Sequence, residues 1–174
     1  MLPQRKRVRL AGFDYSSDRL YFITCCVKHM QCCFGRVLDS QMQLNTYGKI
    51  AERQWLWLAE RYPYVVLHEY IIMPNHMHGI LEIDSGRVGI AGEVRDGRDR
   101  PVRDEIKIKS LSELMGAYKT TASKKIHQAG YAAFAWHRSF YDHIIRNEGA
   151  YQNISAYIQR NPAKWEEDKF FGKM

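Results

Sequence analysis

No window of this sequence approaches the roughly 20 consecutive apolar residues that cross a bilayer, which excludes a helical membrane span. The basic start, Met1-Leu2-Pro3-Gln4-Arg5-Lys6-Arg7, is not followed by an apolar stretch and a small-residue cleavage site. Export is therefore not expected, and the cytoplasm is the expected location. No internal repeat is visible, and 174 residues are too few for two comfortable cores, so residues 1–174 are expected to form one domain. The four cysteines offer no C-x-x-C spacing, occurring as the adjacent pairs Cys25-Cys26 and Cys32-Cys33. Disulfides are not expected in that compartment. Neighbouring strand residues face opposite ways, so ordinary thiols are favoured over a zinc cluster.

What is present is positive charge, +7 with a pI near 9.3, on a chain that is 45% hydrophobic and 13% aromatic. Each phosphate neutralised by Lys or Arg releases counterions, so this balance favours a polyanionic partner, nucleic acid first. Charge alone does not decide the matter.

Leu20 to Val27 reads as a central strand. Thr46 is placed to cap a helix over Tyr47 to Arg61, with Ile50, Trp57 and Leu58 as its buried stripe. Tyr64 to Met73 and His76 to Ile83 form a strand pair around the Pro74-Asn75 turn. From Asp84 to Lys107 the pattern collapses into a glycine-punctuated stretch with six acidic and six basic residues, expected to be a flexible inserted loop (84–107). Ser110 with Glu113 has capping-box spacing and opens a helix to about Gln128. Ser139 to Ile145 reads as a further strand, and Asn147 to Asn161 as a last helix ended by Pro162. This order predicts an α+β fold with helices packed on an antiparallel sheet, most simply ferredoxin-like.

The chemistry lies in two segments. In Met73-Pro74-Asn75-His76-Met77-His78, strand periodicity puts both imidazoles on one face and Met77 on the other, giving a possible pair of metal ligands. A bare H-x-H is more often a pair of half-exposed polar residues in an amphipathic strand, so the metal reading needs a partner elsewhere in the chain. In the last helix, Tyr151, Ile154 and Ile158 share one stripe, which makes Tyr151 a core residue. Tyr157 lies off that stripe, and Asn161 follows four residues later on its flank, so a phenol and an amide face one side. Simple packing by Tyr157 and helix capping by Asn161 remain the alternative.

Taken in order, these segments resemble the REP-associated tyrosine transposases and the related small single-strand transposases of bacterial insertion sequences. The resemblance runs through Tyr21-Phe22-Ile23-Thr24, the Met73–His78 segment, Tyr118-Lys119, the stretch from Trp136 to Arg146, and Tyr157-Ile158-Gln159-Arg160-Asn161-Pro162. It implies a single-tyrosine HUH endonuclease and strand transferase, with the HUH triplet His76-Met77-His78 on a central strand. It further implies Asn161 as third metal ligand, Mg²⁺ or Mn²⁺ as the ion, and Tyr157 as the nucleophile that forms a 5′-phosphotyrosine. The implied partner is single-stranded or hairpin DNA, in a bacterial cytoplasm and close to the nucleoid. Lys119, Lys124, Lys125, Arg138 and Arg146 are the expected DNA contacts, with Trp136 and Tyr141 as candidate stacking platforms. His68 and His143 are left outside the catalytic set. A non-catalytic module that binds DNA hairpins is the second reading, and a monomer and a homodimer remain equally open.

Overall fold

A computed structural model describes residues 12–89, 106–168, 170 and 171. Strand β1 (Arg19–Cys26) leads through a short hairpin, β2 (Gly35–Leu38) and β3 (Gln41–Leu44), into α1 (Thr46–Arg61). The antiparallel pair β4 (Val65–Ile72) and β5 (His76–Ile83) follows, then α2 (Leu111–Gln128), β6 (Tyr141–Ile145) and α3 (Glu148–Arg160). The main sheet has the order β4-β5-β1-β6, and every neighbouring pair is antiparallel. Helix α1 carries the chain from β1 past β5 to β4, and α2 carries it from β5 past β1 to β6. These two crossovers produce the ferredoxin-like arrangement expected from the sequence.

The sheet has two unlike faces because side chains alternate along each strand. On one face Tyr21, Ile23, Cys25, Met77, Leu81 and Ile83 join the buried sides of α1 and α2 in the main core. Ile80, Ile145 and Ile158 form a smaller cluster on the other face, where α3 packs. His76 and His78 alternate with Met77 and so belong to the second face, on an interior strand.

The capping box at Ser110 and Glu113 forms as the spacing predicts. Helix α1 differs in two respects. Its N-cap is Asn45, one residue earlier than expected, with the side chain accepting from the Tyr47 and Gly48 amides. Its buried line is Gly48, Ala51, Gln54, Trp55 and Leu58, while Ile50 and Trp57 are only partly buried. Gly79 accounts for the shift: a Cβ there would lie 2.7 Å from the Trp55 ring, so the indole rests directly on the β5 backbone. Within the expected flexible loop, Ser85–Gly89 form a 3₁₀ turn and Val88 packs against the core. The rest of that loop, residues 90–105, lies outside the described residues. No helix among the described residues is long and apolar enough to cross a membrane.

Candidate metal and phenol site

The α3 face of the sheet opens into a cleft of about 980 Å³, with His78, Tyr157, Asn161 and Asp168 among its walls. His76 lies behind this surface, fully buried and covered by Phe170, whose ring is 4.6 Å from the imidazole. The two histidines point their Nε2 atoms at each other, 3.1 Å apart.

Their outer nitrogens explain this pose. The Asn75 amide donates through Nδ2 to the carbonyls of Met30 (3.1 Å) and Phe170 (3.0 Å). Its oxygen is therefore the atom facing His76 Nδ1 at 2.8 Å, and that nitrogen must donate. The lone pair of His76 is thereby fixed on Nε2. His78 Nδ1 lies 2.8 Å from the Thr24 hydroxyl, which can turn to accept from it. The same hydroxyl can instead donate to Nδ1, which places the His78 proton between the two Nε2 atoms; with both protons on Nδ1, two lone pairs meet at 3.1 Å and suit a cation. Two ligands about 2.1 Å from one ion and at right angles sit about 3 Å apart, so the spacing fits a metal.

Tyr157 is 42% exposed, and its hydroxyl lies 3.2 Å from His78 Nε2. The expected off-stripe position is thus realised, with the phenol at the mouth of the histidine pair. Burial pushes the phenol above its ordinary pKa, the Asp168 charge adds to this, and a hydrogen bond with the Asn161 amide opposes both. Asn161 is 3% exposed, and its Oδ1 has no hydrogen-bond partner while its Nδ2 donates to Asp168 Oδ2 at 3.2 Å. An uncompensated buried oxygen costs roughly 1–3 kcal/mol, so Asn161 fits a cationic ligand better than a purely structural role.

Asp168 is absent from the sequence reading. One carboxylate oxygen lies within 4.8 Å of both histidine nitrogens, giving a His76-His78-Asp168 group able to hold a metal. It follows α3 by a 3₁₀ turn, Pro162–Glu167, and no regular spacing links it to the histidines. Thr24 and Asn75 were also missed, although both stand inside quoted segments.

The cationic candidates separate by location. Lys119 donates to the His137 and Arg138 carbonyls at 2.6 and 3.2 Å, holding the loop whose His137 and Ser139 border the cleft. Lys124 and Lys125 are exposed on α2, across the sheet from the cleft. Arg138 is exposed beside the cleft, and Arg146 is exposed beyond the far end of β6. Arg160 and Lys164, not singled out from sequence, border the cleft directly. Trp136 packs with Phe34, Tyr118 and Phe134 in the core, whereas Tyr141 is 51% exposed at the cleft. His68 is engaged elsewhere, 2.9 Å from Glu82 and 3.3 Å from the Tyr151 hydroxyl. Among the described residues the cysteines form no metal-binding group: Cys25 and Cys33 are buried and Cys32 is exposed.

No protein-family model matches the chain. A protein of Haemophilus influenzae (strain ATCC 51907 / DSM 11121 / KW20 / Rd), described as uncharacterized, is 33% identical over 170 residues, spanning 98% of this chain and 94% of that protein. The chain belongs to that protein's family. A solved REP-associated tyrosine transposase, bound to a REP hairpin, superposes with a TM-score of 0.55 at 19% identity. The match spans 92% of this chain and 74% of that one, so the chain shares that transposase's fold.

Proposed function

We propose that the protein is a metal-dependent single-strand DNA endonuclease and strand transferase of the transposase type, acting through Tyr157. The observation that carries this reading is the meeting of a half-exposed phenol with two back-braced imidazoles: Tyr157 Oη is 3.2 Å from His78 Nε2, itself 3.1 Å from His76 Nε2. The fold shared with a transposase that binds a REP hairpin, and a net charge of +7, support DNA as the substrate.

His76, His78 and the free oxygen of Asn161 would hold a Mg²⁺ or Mn²⁺ ion. Such an ion supplies Lewis acidity at a phosphate and offsets its developing charge. Tyr157 attacks phosphorus, the P–O3′ bond breaks, and a 5′-phosphotyrosine and a free 3′-hydroxyl result. The proton lost by the phenol is balanced by the one the 3′-oxygen gains. Reversal with the same or another 3′-hydroxyl rejoins the strand, so no nucleotide cofactor is consumed. Tyr157 and His78 meet within one chain, which favours a tyrosine acting in cis. Arg138, Arg160 and Lys164 would steady the phosphates, Tyr141 would stack an unpaired base, and Lys119 would brace the loop beneath them. Lys124, Lys125 and Arg146 would engage DNA beyond the cleft.

The test is incubation of the protein with labelled hairpin-bearing single-stranded DNA and Mg²⁺ or Mn²⁺, followed by denaturing gel and peptide mass spectrometry. An adduct on Tyr157 that is abolished by EDTA is expected. Binding without any adduct across a hairpin library would instead establish the non-catalytic hairpin-binding module.

A further inference from the structure

We propose that Asp168 is a direct metal ligand and that its charge lets the site load its ion before DNA arrives. The inference rests on the metal-centre reading above and extends it to the order of assembly. Two imidazoles and one amide are neutral, so a dication held by them alone keeps its full charge and depends on DNA phosphate for compensation. Asp168 changes this. Its carboxylate reaches within 4.8 Å of both histidine nitrogens, completing a set of two imidazoles and one carboxylate, a combination that binds divalent transition metals with positions left open.

The contacts of the carboxylate leave room for this role. Oδ1 accepts from the Phe170 backbone amide at 2.8 Å, and Oδ2 accepts from Asn161 Nδ2 at 3.2 Å. Each oxygen retains lone-pair capacity, since a carboxylate offers about four acceptor positions. A turn-forming aspartate would account for the Phe170 contact alone. It would not account for the unpartnered Oδ1 of Asn161, a residue only 3% exposed. Two imidazole nitrogens and a carboxylate oxygen within 4.8 Å of one another describe a cation site. Holding Asn161 by its nitrogen also turns the amide oxygen away from Asp168 and leaves it available as a further ligand.

The experiment titrates Mn²⁺ into the DNA-free full-length protein and follows the loss of the free-ion EPR signal. The wild type, Asp168→Asn and His76→Ala are compared, each checked for folding by a circular-dichroism melt in chelator. Expected are one Mn²⁺ per wild-type chain, at least tenfold weaker binding in Asp168→Asn, and a smaller deficit once single-stranded DNA is added. Wild-type affinity in Asp168→Asn overturns the proposal. So does a wild type that binds Mn²⁺ only with DNA present, an outcome that leaves the metal-centre reading intact. No Mn²⁺ with or without DNA removes both. If Asp168→Asn melts early, Asp168→Glu replaces it: the retained charge should keep binding within tenfold of wild type, and a Glu variant as weak as His76→Ala overturns the proposal.

Discussion

Strand β5 presents two different materials to its two sides. Met77, Gly79 and Leu81 face α1 and α2, where Trp55 lies on the bare backbone of Gly79. His76 and His78 face α3, where each Nδ1 is matched to a named polar partner. The first side is specified by volume and the second by direction. A rigid, close-packed side is what allows hydrogen bonds on the other to hold two imidazoles at 3.1 Å.

Substitutions can break this contrast, and stability should fall most on the packed side. Trp55→Ala removes a fully buried indole and is expected to cost about 3–5 kcal/mol, read as the shift in a denaturant midpoint. Gly79→Ala sets a methyl against the same ring and should cost about 1–3 kcal/mol. A melt unchanged by Gly79→Ala would show that the indole can move aside. Across the sheet the order reverses. Thr24→Val deprives His78 Nδ1 of its partner and should weaken Mn²⁺ binding by about tenfold, the scale of such supporting contacts, measured by titration. Tyr157→Phe removes one hydroxyl from a half-exposed ring and should change stability by less than about 0.5 kcal/mol, yet abolish the covalent DNA adduct. An adduct that persists would move the nucleophile elsewhere, Tyr151 being the first place to look. Last, brief alkylation near pH 8 followed by mass spectrometry should modify Cys32 well before Cys25 and Cys33, whose thiols burial pushes up to about 12.

The main strands were legible because β1, β4 and β5 are long and either continuously apolar or bounded by turn residues. The β2–β3 hairpin was not legible. Its turn places Asp39 and Ser40 at positive φ, 50° and 59°, without the Asn-Gly or Asp-Gly pair that usually announces such a turn. In the site, strand and helix periodicities place His76, His78, Tyr157 and Asn161, since each sits on a regular element or at its end, but the family resemblance was needed to single them out. Thr24, Asn75 and Asp168 act through tertiary proximity that periodicity does not encode. Lys119 shows the converse: a lysine on a basic helix suggests a phosphate contact, yet two of its three ammonium donors go to backbone carbonyls.

Asn75 also has a consequence for the order of folding. Its amide joins the carbonyl of Met30, 45 residues earlier, to that of Phe170, 95 residues later, while its oxygen sets His76. Contacts of such long sequence separation form late, because the intervening loops must close first. A chain ending before Phe170 lacks one of the two bonds that orient the Asn75 amide, and with it part of the brace on His76.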